Sequence, residues 1–505
     1  MRPVFLFPDG YRYHHGRYLF GSRKQADCSM AFPRISGLKT PEQFQQRLQE
    51  LELDLPFDPE MTAEGVSCLA QPLVSSSGLI GNRFCILPME GWDGTPDGRP
   101  TDLTRRRWQN FGLSGARLIW GGEAVAVRQD GRANPNQLLM NDEHVGEFES
   151  LRTLLTETHE EHFGSSDGLS VGLQLTHSGR FSRPNQKSQP EPRVAYRHPV
   201  LDERVGVAND EPVLTDDDLK QLIDDFVAAS VNAWKAGFRW VDVKHCHGYL
   251  GHEILSGFDR PGDFGGNFEN RTRFLRNIVS GIRAEAPGLG IGVRVSIFDF
   301  TPYQPGDSEE RTGVPSVSGP YSHAFGGDGT GQGIDLNEPF QLVQLMQDLG
   351  IDLLCTSCGS PYYNPHIQRP ALFPPSDGYQ PPEDPLVGIN RQLQATAELK
   401  RAFPDMIIVG TGYSYLQEWL PNVAQAVVQR QLVDSVGLGR MVLSYPDLPA
   451  DVLAGRPLTR KRICRTFSDC TTAPRNGMIS GCFPLDPFYR DLPERQQLIQ
   501  LKKDA

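Results

Sequence analysis

The sequence lacks any apolar run long enough to span a membrane, and Met1–Gly10 lacks the charged and apolar regions of a signal peptide. Basic residues are in the minority, and the formal net charge of −12 disfavours nucleic acid and anionic membrane surfaces as partners. The nine cysteines are odd in number and scattered, which is typical of reduced intracellular thiols. These features predict a cytoplasmic protein with a small-molecule partner. They do not decide between a monomer and a homo-oligomer.

The sequence also lacks a glycine-rich dinucleotide fingerprint after its first predicted strand, which counts against an open doubly wound sheet. One similar run, Gly326–Gly333, follows a polar segment instead of a strand, so it does not meet the structural context of a phosphate loop. We interpret the surrounding segment, Phe298–Asp335, as a long mobile loop that forms a lid.

Apolar runs typical of strands alternate with segments of helical periodicity, as expected of a parallel sheet. The helical spacing is clear over Asp216–Ala236, where Thr215 is a candidate N-cap and Gly237 a stop. Eight strand–helix units favour an α/β fold of the (β/α)8 TIM barrel type. The predicted strands are Phe84–Leu87, Leu118–Trp120, Ser170–Leu175, Trp240–Lys244, Gly290–Val295, Asp352–Thr356, Met406–Val409 and Ser435–Leu438.

This order predicts three regions. Residues 70–455 form the barrel, with long loops over its C-terminal face, residues 1–69 form an N-terminal extension, and residues 456–505 form a tail that packs on the barrel. Within the extension, Thr40–Gln43 has the arrangement of a capping box and predicts the start of a helix. Nothing in the sequence assigns a role to the extension.

The most informative stretch is Trp240–Leu250, where a Val-Asp-Val alternation precedes Lys244, His247 and Tyr249. The alternation predicts a short strand that leaves the core. Amine, imidazole and phenol groups transfer protons and polarise carbonyl groups, and active sites of α/β barrels lie at the C-terminal strand ends. A single histidine in such a position is more often structural, so the catalytic interpretation depends on the whole run.

Two glycine turns near the end of the predicted barrel indicate a phosphate group. Gly410, Thr411 and Gly412 follow one apolar run, and Gly439 and Arg440 follow the next. Glycine lets backbone amides approach an oxyanion, and a helix N-terminus adds partial positive charge. Because barrels often bind phosphate after strands seven and eight, the turns predict a phosphorylated ligand.

Together these motifs resemble the old yellow enzyme family of FMN-dependent NADH:flavin oxidoreductases and ene-reductases. In that family the fourth strand ends in His-x-x-His/Asn-Gly-Tyr, and a Tyr/Phe-Gly-Gly-x-x-Glu-Asn-Arg loop follows. Here Lys244, His247, Gly248 and Tyr249 occupy the first pattern, and Phe264–Arg271 occupies the second. The departure is Lys244, which stands where relatives have His.

The resemblance extends over Ala70–Leu453 and implies non-covalent FMN, with NADH or NADPH as the reductant. FMN is expected rather than FAD because no region is suited to an adenylate half. Glu90 occupies the position of a Thr or Cys that tunes the flavin in relatives, so the resemblance does not fix the flavin potential. The cofactor-binding residues implied are Pro88, Met89, Glu90 and Ala124 beside the flavin ring, Gln174 on its pyrimidine side, Arg294 near N1 and O2, and Gly410, Thr411, Gly412, Gly439 and Arg440 around the phosphate.

For the reaction, the resemblance implies reduction of an activated C=C bond. Lys244 and His247 would hold the carbonyl or nitro oxygen, while Tyr249 protonates the α-carbon. The charge of Lys244 also suggests an anionic substrate, and the alternative is a lysine that pairs with Asp242 or faces solvent.

Two other functions remain open. One is a flavin-dependent amine dehydrogenase or N-demethylase on the same fold, against which the positive charge of Lys244 counts. The other is a non-redox barrel that binds a phosphorylated substrate through the two glycine turns.

The tail contains Cys464, Cys470 and Cys482, a spacing similar to the four-cysteine cluster motif of the dienoyl-CoA reductase branch. Phe467 occupies the position of the missing cysteine, and iron–sulfur clusters normally need four thiolates. We therefore predict no metal, with a fourth ligand from elsewhere as the alternative. We also expect no room before Ala505 for the second flavin and nucleotide domains of that branch.

Overall fold

The computed structural model of the protein describes residues 32–504, so residues 1–31 of the predicted extension and Ala505 lie outside the described residues. Eight parallel strands close into a barrel and alternate with helices, which confirms the predicted (β/α)8 TIM barrel. The strands in chain order are Phe84–Ile86, Leu118–Ile119 with Ala124–Ala126, Ser170–Thr176, Trp240–Val243, Gly290–Ser296, Leu353–Ser357, Ile407–Gly410 and Ser435–Leu438. Val436 of the last strand pairs in parallel with Phe84 of the first, and this pairing closes the barrel.

The second barrel strand is interrupted. Leu118 lies opposite Ser170 and Ala124 lies opposite Gln174, so both of its segments pair with the third strand. Gly122, between the segments, has a φ of 60°, and a Cβ at this position would come within 2.4 Å of the Trp108 ring. Glycine is therefore required in this break. The break sets Ala124 beside Gln174, towards the C-terminal end of the barrel.

Side-chain alternation along the strands produces two layers of core. Trp120, Trp240 and Leu353 belong to a buried cluster inside the barrel, whereas Val241 and Val243 belong to the larger cluster between strands and helices. Successive side chains of a strand point to opposite faces. The residues at two and four positions after Trp240 therefore continue along the inner face, towards the barrel mouth.

The helix Asp216–Lys235 begins at the predicted residue and ends one residue early. Thr215 caps Asp216–Lys235, because its hydroxyl accepts a hydrogen bond from the Asp218 backbone at 3.1 Å. Among the described residues, no helix is long and apolar enough to cross a membrane. The α-helices are Pro41–Glu50, Asp102–Gly112, Val145–Phe163, Leu201–Val205, Asp216–Lys235, Leu250–Leu255, Phe268–Glu285, Asn337–Asp348, Pro365–Gln368, Pro385–Ala402, Leu420–Gln429, Met441–Ser444, Leu448–Leu453, Asp469–Arg475, Pro487–Arg490 and Glu494–Asp504, and the 3-10 helices are Ile35–Gly37, Cys68–Ala70, Gln129–Gly131, Asp142–His144, Gly179–Phe181 and Tyr413–Trp419.

Both ends of the described chain pack on the barrel. In the extension, Arg47 Nη2 donates to Asp384 Oδ2 at 2.7 Å, next to the helix after the sixth strand. In the tail, Arg106 and Asp486 form an ion pair at 2.9 Å, against the helix after the first strand. One apolar core runs through the described extension, the barrel and the start of the tail. The predicted region boundaries at residues 69 and 455 therefore stay predictions.

The segment Phe298–Asp335 has more regular structure than the predicted loop. Tyr303–Pro305 and Gly313–Pro315 pair as an antiparallel ribbon. Tyr321 is buried, and its hydroxyl lies 2.8 Å from His198 Nε2. Two strands of three residues are too short to show an alternation pattern, so the sequence did not predict the ribbon.

Candidate active site

A cavity of about 260 Å³ opens at the C-terminal end of the barrel. Lys244, His247 and Tyr249 line it, together with all but one of the predicted cofactor residues. The exception is Gly410, which immediately precedes the lining residue Thr411. The predicted cofactor residues in the wall are Pro88, Met89, Glu90, Ala124, Gln174, Arg294, Thr411, Gly412, Gly439 and Arg440. The barrel thus brings the two predicted groups of residues into one site.

The fourth strand places Lys244 in this cavity through its alternation. Trp240, Asp242 and Lys244 share the inner face. The buried Asp242 carboxylate accepts hydrogen bonds from Trp120 Nε1 and from the Arg294 backbone, each at 2.7 Å, and burial raises its pKa to about 6. Within the described chain Lys244 forms no ion pair, and its side chain is buried. The structure therefore shows neither a pairing with Asp242 nor a solvent-facing amine.

The buried amine of Lys244 lies against Tyr249. Its Nζ is 3.8 Å from the centroid of the Tyr249 ring, a distance at which a cation is attracted by the ring face. Burial lowers the pKa of Lys244, and the charge of Glu90 opposes this shift. Lys244 thus directs its amine both to the cavity and to the phenol ring.

His247 lies in a strained turn. Its φ is 68°, in the left-handed region that residues other than glycine rarely adopt. Its backbone N–H donates to Ser296 Oγ at 3.0 Å, and its carbonyl accepts from Ser360 Oγ at 2.8 Å. Gly248 follows with a φ of 77°, where a Cβ would come within 2.8 Å of the Tyr363 ring. Contacts from the end of the fifth strand and from the loop after the sixth strand therefore hold the turn in its unfavourable conformation.

The His247 ring is neutral, and its hydrogen bonds select one tautomer. Burial, together with the charges of Arg294 and Lys244, lowers its pKa well below the ordinary value. Its Nε2 lies 2.8 Å from Ser357 Oγ and 3.2 Å from Gln368 Nε2. Because an amide nitrogen only donates, His247 Nε2 accepts and the ring proton is on Nδ1. The ring therefore keeps one N–H donor for a ligand oxygen.

The Tyr249 hydroxyl is the centre of a short hydrogen-bonded chain. It donates to Glu90 Oε2 and lies 2.8 Å from the Tyr362 hydroxyl. Burial, the charge of Glu90 and the neighbouring Tyr362 raise the pKa of Tyr249 well above its ordinary value. The phenol is therefore protonated at neutral pH, as a general acid must be.

Gln174 and Arg294 reach the cavity from the third and fifth strands. Gln174 Nε2 donates to Asp242 Oδ2, so the same carboxylate that anchors the Arg294 backbone also orients this amide. The Arg294 side chain is buried, and its Nε has no partner among the described residues. A buried guanidinium with an unused N–H is suited to an anionic group.

The seventh and eighth strands form the glycine-rich part of the wall. Gly412 has a φ of 100°, and a Cβ added to Gly439 would meet nothing within 4 Å, so the backbone at Gly439 faces open space. The Thr411 hydroxyl donates its hydrogen to a carbonyl of the sixth strand, so the backbone N–H is the donor of Thr411 that remains for a ligand. Arg440 Nη1 and Arg369 Nη2 are buried without a partner in the described chain. Backbone amides and two arginines therefore supply the positive field.

No sequence motif indicated the outer part of the cavity wall. Arg475, in the tail helix Asp469–Arg475, donates to the Pro361 carbonyl at 2.9 Å and forms an ion pair with Asp377. These contacts join the tail to the loop after the sixth strand. Both segments look like ordinary polar loops, so only long-range packing places them at the site. The lining residues that the sequence did not reveal include Trp92, Arg107, Pro361, Tyr362, Gln368, Arg369, Ser414, Cys470, Thr471, Pro474, Arg475, Ser480 and Gly481.

The three tail cysteines converge beside the glycine-rich wall. Cys464, Cys470 and Cys482 line one small cavity together with Arg440 and Phe467. All three are free thiols, and burial raises the pKa of Cys464 and of Cys482. Within residues 32–504, no group of three or more His, Cys, Asp and Glu side chains is placed to hold a metal ion. The predicted absence of a metal stays a prediction.

Comparisons with known proteins agree with this geometry. A model of the NADH:flavin oxidoreductase / NADH oxidase family matches residues 69–317. The NADH:flavin oxidoreductase FG08077 of Gibberella zeae is 28% identical over 298 residues, which cover 55% of this chain and 64% of that protein. The NADPH dehydrogenase of Bacillus subtilis is 25% identical over 383 residues, which cover 75% of this chain and 92% of that enzyme.

Solved structures share the fold. A 2-naphthoyl-CoA reductase complex aligns with a TM-score of 0.61 at 18% identity, over 84% of this chain and 57% of that one. The old yellow enzyme homologue from Zymomonas mobilis aligns with a TM-score of 0.52 at 21% identity, over 78% of this chain and 94% of that one. At these identities the alignments indicate a common barrel.

The residues of the cavity fit a flavin mononucleotide. Arg294 Nε and Arg440 Nη1 are buried nitrogens without partners in the described chain, and the open backbone at Gly439 leaves space beside Arg440. These groups suit the two negatively charged parts of the cofactor, the reduced pyrimidine ring and the phosphate. Together these findings support an FMN-dependent NAD(P)H oxidoreductase of the old yellow enzyme family.

Proposed function

We propose that this protein reduces the activated C=C bond of an enone- or enoate-type substrate, with Tyr249 as the proton donor. The observation that carries the proposal is the meeting of three groups in one cavity, the buried amine of Lys244, the neutral imidazole of His247 and the protonated phenol of Tyr249. When bound there, FMN would accept hydride from NADH or NADPH and supply it to the β-carbon of the substrate.

Lys244 and His247 bind and polarise the substrate oxygen. Hydride addition to the β-carbon requires the electrons of the C=C bond to move towards that oxygen, which becomes an enolate. A buried ammonium and a preorganised N–H stabilise this charge as it develops, in surroundings where such interactions are strong. The held turn at His247 limits the reorganisation needed at that moment.

Tyr249 completes the addition by protonating the α-carbon. Its raised pKa keeps the proton on the phenol until the substrate becomes basic. Arg294 contributes separately, because its buried guanidinium stabilises negative charge on the pyrimidine side of a reduced flavin.

An amine dehydrogenase or N-demethylase is less favoured. Lys244, Arg369 and Arg475 line the cavity, and their positive charge opposes the entry of a cationic amine. A non-redox phosphate-binding barrel would use the glycine turns, but it would leave Arg294, Gln174 and the Tyr249 network without a purpose.

The experiment is an anaerobic stopped-flow study of the two half-reactions. Acid precipitation should first release FMN from the yellow protein. In Tyr249→Phe we expect reduction by NADH or NADPH to stay within about twofold of wild type, while reoxidation by 2-cyclohexenone slows by roughly a hundredfold, the usual worth of a positioned acid. Tyr415→Phe removes a buried hydroxyl outside this cavity and serves as the matched control. Equal slowing of both half-reactions in Tyr249→Phe would exclude Tyr249 as the donor.

A further inference from the structure

Glu90 is the carboxylate in the cavity wall that binds the Tyr249 hydroxyl, and it stands where relatives of the old yellow enzyme family have Thr or Cys. We propose that Glu90 is a proton-relay residue that decides whether the Tyr249 proton is available to the substrate. The inference rests on the proposed role of Tyr249 as the proton donor, and it adds a second group to that proton path.

The argument begins with the single hydrogen of the phenol. An ionised carboxylate only accepts hydrogen bonds, so an ionised Glu90 holds the Tyr249 O–H directed towards itself. A protonated Glu90 can donate to the phenol oxygen instead. The Tyr249 hydrogen is then released to point into the cavity. Protonation of Glu90 therefore reverses the direction of this hydrogen bond and makes the Tyr249 hydrogen available to the substrate.

The neighbours of Tyr249 support this chain of hydrogen bonds. Tyr362 lies 2.8 Å from the same phenol oxygen, and its hydroxyl can donate or accept, so it adapts to either direction. Lys244 Nζ, 3.8 Å from the Tyr249 ring centroid, stabilises negative charge that develops on the phenol during transfer.

The proposed step conserves atoms and electrons. A bound flavin, reduced by NAD(P)H, would supply the hydride to the β-carbon of the substrate with both electrons and would itself be oxidised. The O–H bond of Tyr249 then breaks as the Cα–H bond forms, and the O–H bond of Glu90 breaks as that of Tyr249 is restored. Glu90 is left as a carboxylate, which takes its next proton from water. The net change is addition of one hydride and one proton across the C=C bond.

Several other charged groups face this network. Burial lowers the pKa of Lys244, and the charge of Arg294 adds to this shift. Burial raises the pKa of Tyr362, and this shift is opposed by the charges of Arg475 in the tail and of Arg183 in the loop after the third strand. Arg475 lies 5.9 Å from the Tyr362 ring centroid. All three of these charged groups are arginines, and a guanidinium does not give up its proton in a protein, so none of them supplies the proton.

A second carboxyl group lies close by in sequence and needs a control. Beyond Gly91, Arg107 binds both Asp93 and Glu123. Burial raises the pKa of Glu123 to about 7, in the range where a pH effect would be measured. Among the described residues, however, Glu123 forms no hydrogen bond with Tyr249, so its titration should not direct the phenol proton.

The test follows the oxidative half-reaction against pH. Enzyme reduced anaerobically with NADPH is mixed with 2-cyclohexenone between about pH 5 and 9, and the reoxidation rate constant is recorded. In wild type we expect the rate to fall about tenfold per pH unit towards high pH, the slope for one essential proton. The amide of Glu90→Gln does not titrate and cannot pass a proton to Tyr249. The reoxidation rate constant of this variant should be about tenfold below wild type at low pH and should not change with pH.

Two further variants complete the design. Glu123→Gln should keep the wild-type pH dependence. Glu90→Asp keeps a carboxyl group on a shorter side chain. Its reoxidation rate constant should still fall towards high pH, but should be about tenfold lower than in wild type. This variant tests the relay if Glu90→Gln fails to bind FMN.

The outcomes separate the two proposals. A Tyr249→Phe enzyme that reoxidises as fast as wild type overturns the donor itself. A slow Tyr249→Phe together with a wild-type pH profile in Glu90→Gln overturns only the relay, as does a wild-type rate in Glu90→Asp. Loss of the falling limb in Glu90→Gln, with the limb kept in Glu123→Gln, supports the relay.

Discussion

Lys244 Nζ lies 3.8 Å from the centroid of the Tyr249 ring, so the residue that departs from the family pattern is in contact with the proposed proton donor. In this position the amine can clamp a ligand oxygen and can also stabilise a phenolate. Both uses require a cation inside the cavity, and the buried side chain of Lys244 satisfies that requirement. The departure at position 244 therefore puts an amine in contact with Tyr249 where relatives have an imidazole.

Lys244→Ala should weaken the binding of anionic ligands to the oxidised enzyme. We expect the binding free energy of phenolates and carboxylates to weaken by roughly 1.5–3 kcal/mol, the range for hydrogen bonds to charged groups. Titration of the flavin absorption band measures it. Lys220→Ala, on the exposed surface of the helix Asp216–Lys235, is the control and should bind like wild type.

Neutral ligands of similar shape sharpen this test. Their binding should change much less in Lys244→Ala, because only the charge-dependent part of the interaction is lost. If phenolate affinity were unchanged in the variant, Lys244 would act on Tyr249 alone and not on the ligand.

The fold could be predicted from the sequence because each strand carries a local signal. Ser435–Leu438 has the predicted bounds, and Trp240–Val243 ends one residue early. The break in the second strand could not be predicted, because it depends on the close approach of Gly122 to the Trp108 ring from another element. Patterns along the chain report alternation and capping, but not such contacts.

The same division applies to the candidate site. Lys244 could be placed because active sites of α/β barrels lie at the strand ends, and Arg294 because the family resemblance assigned it. Tyr362 and Arg475 could not, because they enter the cavity through loops whose positions depend on each other. Glu90 was expected beside the flavin, and its hydrogen bond to Tyr249 became visible only in three dimensions.

Arg440→Ala should weaken FMN retention more than it slows chemistry. Arg440 Nη1 is buried without a partner in the described chain, so a phosphate there would gain a charge-assisted hydrogen bond. We expect the dissociation constant of FMN to rise roughly 10–100-fold, measured by flavin fluorescence on dilution. Arg456→Ala removes an exposed arginine that pairs with Asp451 and is the control. Unchanged affinity would rule out the phosphate assignment.

Buried neutral histidines should make the protein sensitive to acid. Burial lowers the pKa of His366 and of His245 from 6.5 to about 4. Because these folded-state values are depressed, the unfolded chain binds protons first as pH falls. The stability present above pH 6.5 is therefore lost as pH falls from 6.5 towards 4, by about 1.4 kcal/mol per pH unit for each proton.

Urea unfolding at several pH values measures this loss. His366→Asn should flatten the dependence of the unfolding free energy on pH by about one proton, although it also loses the hydrogen bond to Tyr379. His162→Asn, at an exposed position, should leave the slope unchanged. An identical slope in His366→Asn and wild type would show that His366 does not contribute.

Arg475→Ala should affect the alkene more than the flavin. Arg475 joins the tail to the Pro361 carbonyl and to Asp377, and its guanidinium lies 5.9 Å from the Tyr362 ring centroid. Without it, the loop that carries Tyr362 loses its support. We therefore expect kcat/KM for 2-cyclohexenone to fall about tenfold, the equivalent of one charged hydrogen bond, while FMN affinity stays within about twofold.

Steady-state rates together with FMN titrations separate these effects for Arg475→Ala. Arg490→Ala, in the tail but paired only with its neighbour Asp491 on the surface, is the matched control and should behave as wild type. A comparable loss of FMN affinity in Arg475→Ala would assign this arginine to the cofactor. A wild-type kcat/KM would show that the tail forms the outer wall without positioning the loop. The expected split, a weaker reaction with the alkene on an intact flavin, would make the tail part of the substrate-binding site.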